Sequence, residues 1–201
     1  ARVNLISPIF SALAVMFLYL IIVQLIEEWR GEVINLPDCL ITYGSALIGA
    51  LTFAFTDSHW FNAVEAEVYS LSTFFTSIVV WLILKWSNNS GHSGNVRYIL
   101  IIAYMFGLAI GIHLLNLLAL PFIALIVYFN KYEFKLGTFL VTMVITLLTF
   151  MIIYLGIIKG IPNIANSYGL NYPIFLVLAV FAATAYAVWK KHNQLSTILT
   201  C

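Results

Sequence analysis

The sequence predicts an all-α fold, a polytopic transmembrane helical bundle. Of the 201 residues, 63% are hydrophobic and 8% are charged, whereas soluble domains average roughly 45–50% and about 25%. The mean hydropathy is +1.02, and the apolar residues come in long runs separated by short polar segments. This composition excludes an ordinary soluble enzyme and a disordered chain. The net charge of +1 provides no basic face for a nucleic acid.

Charge-free apolar runs of about 20 residues are long enough for helices that cross the roughly 30 Å hydrocarbon core of a bilayer. Such runs predict seven spans, over residues 3–26, 40–56, 68–84, 98–112, 117–129, 136–158 and 172–189. An eighth apolar run begins near Leu195. Because the sequence starts at Ala1 and stops inside that run, we expect residues 1–201 to be part of one transmembrane domain, truncated at both ends.

Residues 98–130 form one uncharged stretch that is too long for a single upright helix. His113, Asn116 and Pro121 lie near its middle. These residues favour a hairpin of two short spans that turns around His113 and Asn116. One tilted and kinked helix is the alternative.

The distribution of Lys and Arg supports the hairpin. With it, seven of the nine basic residues fall in one set of loops, and only Arg2 and Lys159 fall in the other set. The positive-inside rule then assigns the first set to the cytoplasm. Residues 57–67, the turn at His113 and the loop around residues 161–171 are expected on the external face.

The densest polar cluster follows the second predicted span, and it contains no Lys or Arg. Its members are Asp57, His59, Trp60, Asn62, Glu65, Glu67 and Tyr69. If residues 61–75 are helical, Glu65 and Tyr69 share one face, with Asn62 one turn earlier, and Glu67 points roughly 160° away. A carboxylate that runs into an apolar span is costly and tends to mark a site or a pathway. The alternatives are acids that only solvate an external loop, and Asp57 as a helix N-cap.

The second polar feature lies at the turn of the predicted hairpin, where His113 and Asn116 follow Gly107 and Gly111. The glycine pair favours close helix packing. His113 could form an interhelical hydrogen bond or belong to a site, and the topology brings it to the face of the acidic cluster. These groups suit a sugar, a phosphate or a metal ion, although no metal-ligand spacing occurs. A divalent metal is therefore an alternative and not an assigned cofactor.

Several segments resemble known membrane enzymes. Residues 2–5 and 11–14 resemble the start of the second span in GT-C glycosyltransferases. Two segments together resemble a bacterial membrane family of formerly unknown function that is related to protein O-mannosyltransferases. They are residues 60–69, Trp-Phe-Asn-Ala-Val-Glu-Ala-Glu-Val-Tyr, and residues 107–121, Gly-Leu-Ala-Ile-Gly-Ile-His-Leu-Leu-Asn-Leu-Leu-Ala-Leu-Pro.

The resemblance implies a GT-C-like membrane domain and a glycosyltransferase. The donor substrate would be a polyprenyl-phosphate sugar, with mannose as the expected sugar, and the acceptor a Ser or Thr hydroxyl of an exported protein. The protein would be a multi-pass protein of the bacterial inner membrane, embedded in membrane lipid, with its active face on the periplasmic side. In this family a catalytic acid lies in an external loop before the second span, in a motif containing Asp-Ser-Gly-Glu. We expect that loop to lie outside the 201 residues, which alone should be inactive.

Chemistry and resemblance together suggest roles for the polar residues. A carboxylate can take the proton of an acceptor hydroxyl, and hydrogen-bond donors can stabilise a leaving phosphate. We expect Glu65 and Asp57 as catalytic residues, Glu67 as a substrate-binding residue, Asn62 and Tyr69 to orient Glu65, His113 and Asn116 to hold the donor, and His59 and Trp60 to line the sugar pocket. The competing interpretations are a transporter or flippase for a lipid-linked sugar, with the acids as a gate, and a non-catalytic assembly subunit.

Overall fold

A computed structural model describes residues 5–31, 33–65, 67–88 and 95–199, and these residues contain no strand. The helices in chain order are α1 (Ile6–Arg30), α2 (Leu36–Ala54), α3 (Asp57–Val64), α4 (Tyr69–Asn88), α5 (Asn95–Ile112), a 3-10 turn (Leu114–Leu118), α6 (Ala119–Lys131), α7 (Leu136–Met151), a π-helix (Ile152–Gly160), α8 (Ile161–Tyr168) and α9 (Asn171–Leu199). The predicted all-α fold class is confirmed.

Five helical segments of the described chain are long and apolar enough to cross a membrane, judged by length and composition. They are Ile6–Arg30, Leu36–Ala54, Tyr69–Asn88, Leu114–Lys131 and Leu136–Tyr168. Two shorter apolar helices cover Arg97–Ile112 and Asn171–Ala183. The protein is therefore a multi-pass membrane protein with a polytopic helical bundle.

Small residues hold α1 close to α2 and α4. Ser11 and Ala14 of α1 are buried, and Ala46 of α2 is buried as well. The Oγ of Ser11 donates to the Oγ of Ser70 on α4 over 3.2 Å. Because lipid tails are as apolar as the side chains, association between membrane helices depends on such close packing and on hydrogen bonds between helices.

Contacts between helices give the bundle of residues 5–146 two ends. At one end, which we call the α3 end, α3 packs against the N-terminal parts of α1 and α4. The opposite end, which we call the basic end, contains an ion pair of 3.2 Å between Arg30 and Asp38. The basic residues of this end are Arg30, Lys85, Arg97, Lys131 and Lys135. Basic residues that the sequence predicts in one set of loops therefore share one end of the bundle.

The segment from α5 to α6 is a hairpin, as the charge distribution predicts. Tyr98 of α5 packs against the cluster that contains Trp86, near the C-terminal end of α4. The end of α6 lies there too, since Nδ2 of Asn130 donates to the carbonyl of Ser87 over 3.0 Å. The two helices therefore run in opposite directions. The chain reverses at His113, whose backbone is extended (φ −149°, ψ 127°), and the alternative of one kinked helix is wrong.

A continuous helix over residues 61–75, the condition under which Glu65 and Tyr69 would share a face, does not form, because α3 ends just before Glu65. The backbone of Glu65 is extended (φ −84°, ψ 141°), and α4 begins at Tyr69. The Oγ of Ser70 donates to the carbonyl of Asn62 over 2.6 Å. This bond satisfies a carbonyl near the end of α3 that would lack a partner within the helix. Glu65 and Tyr69 therefore do not share a helical face.

The chain divides into two compact units, residues 1–146 and residues 147–201. Within the second unit, Gly169 has a positive φ of +93°, a conformation that glycine adopts at little cost and that ends α8. Helix α9 then continues without a break over Asn171–Leu199. The apolar run near Leu195 therefore belongs to the same helix as the preceding one. That residues 1–201 belong to one transmembrane domain stays a prediction.

Candidate functional site at the α3 end

His59 fixes α3 to the rest of the bundle. Its side chain is 7% exposed, and its ring centroid lies 4.5 Å from that of Phe53. Burial lowers the pKa of His59, because it disfavours the charged imidazolium, and a hydrogen bond with the main chain of Ser11 opposes this effect. The residue expected to line a sugar pocket therefore lies inside the bundle as a neutral imidazole at about pH 7.

The lowered pKa of His59 predicts a pH dependence of stability. The unfolded state, with a pKa near 6.5, binds more protons than the folded state below about pH 7. The contribution of the neutral His59 to the free energy of unfolding is therefore fully present above about pH 7. It decreases as the pH drops through roughly 6.5 towards the pKa of His59 in the folded state. Thermal unfolding of the full-length protein in detergent, measured between about pH 7.5 and 5.5, should show this slope. His59→Gln should flatten the slope, whereas His113→Gln should keep it; equal slopes in both variants would contradict the assignment.

The exposed face of α3 is aromatic and acidic. Trp60 is 57% exposed, and its ring stacks on Phe55 with a centroid distance of 6.1 Å and an interplanar angle of 18°. Asp57 is exposed in the first turn of α3, where a negative charge is favourable. The N-cap position belongs to Thr56, so the alternative of Asp57 as the N-cap is wrong. Trp60 lies three residues after Asp57, which brings the ring and the carboxylate to neighbouring positions on the helix.

The two glutamates between α3 and α4 differ in environment. Glu65 is half-buried and Glu67 is exposed. In the described part of the chain, no Lys or Arg forms an ion pair with Glu65, Glu67 or Asp57. Because water screens an exposed charge more than a half-buried one, Glu65 can interact more strongly with a bound ligand than Glu67 can.

The hairpin turn brings His113 to the start of α4. Its ring centroid lies 5.4 Å from that of Tyr69, with the ring planes tilted by 49°. The Nδ1 of His113 accepts a hydrogen bond of 3.2 Å from the backbone N–H of Leu115. An imidazole whose Nδ1 accepts a hydrogen bond carries its proton on Nε2. His113 can therefore donate a hydrogen bond from Nε2 at the α3 end, and the ring of Tyr69 lies beside it.

Asn116 ties the turn to α4. Its side chain is 5% exposed. Its Oδ1 accepts hydrogen bonds from the hydroxyls of Ser72, over 2.7 Å, and Thr76, over 2.8 Å. Its Nδ2 donates to the carbonyl of Ala109 on α5. We call this arrangement the Asn116 clasp. The sequence suggests that the amide of Asn116 binds the donor substrate. In the structure this amide forms hydrogen bonds within the bundle and holds the turn in place.

A cavity of about 490 Å³ lies beside the Asn116 clasp. Its walls are apolar on α1 and α2 and carry hydroxyl groups on α4. The residues that line it include Ala14, Leu18, Phe53, Ser72, Thr76, Ser77 and Val80. The hydroxyl residues of α4 recur at helical spacing, so they share one face. This spacing is the signal in the sequence that could have revealed the cavity wall.

The α3 end thus brings together some of the predicted residues and separates others. The ring of Tyr69 on α4 contacts the ring of His113 at the hairpin turn. Asn116 follows in the same turn and lines the cavity. Asn62 contributes its carbonyl to Ser70. Among the described residues, no group of three or more His, Cys, Asp or Glu side chains could hold a metal ion. The available chemistry is that of carboxylates, an imidazole and exposed aromatic rings.

Comparison with known proteins identifies the family. Residues 1–136, which include the entire α3 end, match the family model described as the N-terminal domain of the protein O-mannosyl-transferase TMEM260. No curated protein and no solved structure matches the chain. The matched segment exceeds half of the 201 residues, and it confirms the predicted relation to protein O-mannosyltransferases, which are glycosyltransferases. The chain belongs to the family defined by the N-terminal domain of the protein O-mannosyl-transferase TMEM260.

Proposed function

We propose that the protein is a GT-C-type glycosyltransferase that moves mannose from polyprenyl phosphate to Ser or Thr hydroxyls of exported proteins. The reaction takes place on the external face of the bacterial inner membrane. One observation carries the proposal within the family: carboxylates and the imidazole of His113 share the α3 end with a largely apolar cavity. A lipid-linked sugar has the same division, with a polar head and a hydrocarbon chain.

The donor is proposed to bind with its lipid chain in the cavity and its phosphate near His113. The cavity volume of about 490 Å³ falls within the roughly 300–1,000 Å³ of small-molecule sites. Leu115, two residues after His113, lines the cavity, so the imidazole lies near its rim. The Nε2–H of His113 can donate to a phosphate oxygen and stabilise the charge that develops as the phosphate leaves.

The acceptor is proposed to bind on the acidic side of the α3 end. In the transfer, the acceptor hydroxyl oxygen bonds to the anomeric carbon of the sugar, and the bond from that carbon to the phosphate oxygen breaks. A carboxylate takes the hydroxyl proton. Glu65 and Asp57 are proposed to contact the reacting hydroxyl groups, with Glu67 as a weaker substrate contact and the exposed ring of Trp60 beneath the sugar. The acid implied by the family resemblance would act with them.

The direct test uses full-length protein in liposomes that contain mannosyl polyprenyl phosphate. Ser/Thr peptides from exported proteins are added, and mannosylated peptide is measured by mass spectrometry with and without EDTA. We expect mannosylated peptide, and loss of product in EDTA would identify a metal requirement. Folded protein that translocates the lipid-linked sugar without transferring it would contradict the proposal and indicate a flippase.

Filling the cavity should weaken donor binding selectively. Val80 is half-buried in the cavity wall, and Val80→Phe would extend a larger side chain into the proposed path of the lipid chain. We expect KM for the donor to rise about tenfold, with kcat at saturating donor little changed. Val144→Phe is the matched control, because Val144 is 55% exposed on α7. An equal KM in the two variants would contradict binding of the lipid chain here.

A further inference from the structure

A second cavity, with a more polar lining, lies between α1 and α4 near the basic end. Its volume is about 290 Å³. The side chains that line it include Val23, Gln24, Glu27, Trp81, Lys85 and Asn88. Both helices are of membrane-spanning length and composition, and the cavity lies near their C-terminal ends. That position corresponds to the level where a helix meets the lipid headgroups.

Opposite charges line this cavity from its two sides. Glu27 of α1 contributes a carboxylate, whose Oε1 accepts a hydrogen bond of 3.3 Å from the hydroxyl of Tyr43. Lys85 of α4 contributes an ammonium group, with its Nζ 5.1 Å from the centroid of the Trp81 ring. The cavity is therefore electrically balanced: a free anion that approaches Lys85 also approaches the carboxylate of Glu27, which repels it.

The other groups that line the cavity suit the phosphodiester and glycerol ester part of a phospholipid. The side-chain amides of Gln24 and Asn88 can donate to and accept from ester and phosphodiester oxygens. Val23 adds an apolar side chain to the lining, and the first methylene groups of an acyl chain can pack next to it. Trp81 is half-buried at this level, where tryptophan rings commonly meet headgroups.

From this charge pattern we propose that the cavity between α1 and α4 binds the headgroup of an amino-phospholipid such as phosphatidylethanolamine. Lys85 pairs with the lipid phosphate, and Glu27 accepts hydrogen bonds from the lipid ammonium group. A quaternary amine cannot donate these hydrogen bonds, and an anionic headgroup leaves Glu27 facing a like charge. The site is separate from the α3 end and independent of the proposed transferase reaction.

The test measures which lipid the purified full-length protein retains. Protein in detergent is incubated with an equimolar mixture of phosphatidylethanolamine, phosphatidylcholine and phosphatidylglycerol, and bound lipid is counted by native mass spectrometry. We expect phosphatidylethanolamine to be retained about fivefold over each of the others. Equal retention of the three lipids by the wild-type protein overturns the proposal, whatever the variants do.

Charge variants test the two assigned partners. Glu27→Gln leaves the cavity with a net positive charge, so the preference should move to phosphatidylglycerol. Lys85→Gln should reduce retention of all three lipids, and Lys85→Arg should restore it. Glu28→Gln and Lys131→Gln are the matched controls, because they make the same charge changes near this end of the bundle at residues that do not line the cavity. Controls that shift the preference as much as the cavity variants overturn the assignment.

Discussion

Glu65→Gln should lower the turnover of the full-length enzyme by about 10- to 150-fold. A hydrogen bond to a charged group contributes roughly 1.5–3 kcal/mol, and about 1.4 kcal/mol corresponds to a factor of ten. Glu65 is half-buried between α3 and α4, so water screens its charge incompletely. The substitution keeps the size of the side chain and removes its charge, and the mannosyl transfer assay in liposomes measures the change.

Glu67→Gln is the matched control for this prediction. Glu67 belongs to the same short segment but is exposed, so its loss should change turnover by no more than a few-fold. Rates near wild type in both variants would remove Glu65 from the site. Equal losses in both would indicate a general effect of negative charge at the α3 end, because the two environments should then matter little.

Asn116→Leu should destabilise the folded protein by about 2–4 kcal/mol. The substitution leaves the hydroxyls of Ser72 and Thr76 and the carbonyl of Ala109 without the amide that they now contact. Each such bond between membrane helices contributes roughly 0.6–2 kcal/mol, and a buried polar group without a partner adds to the cost. Unfolding of the full-length protein by denaturing detergent measures the loss.

A mutant cycle separates the Asn116 clasp from a loss of packing. Ser72→Ala with Thr76→Val removes the two hydroxyls, so adding Asn116→Leu to this pair should cost less than it does in the wild-type protein. Asn163→Leu, at an exposed position of α8, controls for a change to leucine alone. Strictly additive losses in the free energy of unfolding would show that Asn116 is not energetically coupled to the hydroxyls of Ser72 and Thr76. The single variant should also raise KM for the donor, because the clasp holds the turn that carries His113.

Hydropathy and charge predicted most of the architecture. Lipid requires every backbone group to bond within its own segment, so long uncharged runs in the sequence become helices. The reversal at His113 was predictable because a single helix over residues 98–130 would have divided the basic loops between both sides of the membrane. The structure shows the same reversal, because the side chain of Asn130, near the end of α6, donates a hydrogen bond to Ser87, near the end of α4.

The details of the α3 end could not be predicted from local pattern. Residues 61–75 contain neither Gly nor Pro, so nothing in the segment itself marks the end of α3. The break depends on Ser70, whose hydroxyl bonds the carbonyl of Asn62, and on His59, which is buried against another helix. The clasp was hidden for the same reason, because Ser72 and Asn116 are 44 residues apart in the chain. Hydropathy identifies which segments are helical but not which hydroxyl meets which amide.

The hydrogen bond between Ser11 and Ser70 has a consequence for biogenesis. Its partners are separated by 59 residues, which a ribosome adds in roughly 3–12 s at about 5–20 residues per second. Until Ser70 has been synthesised, the serine face of α1 lacks the helix that covers it in the folded protein. The surface on which α3 rests is therefore assembled late in synthesis, after α4 arrives, and the clasp closes later still, when the chain reaches Asn116.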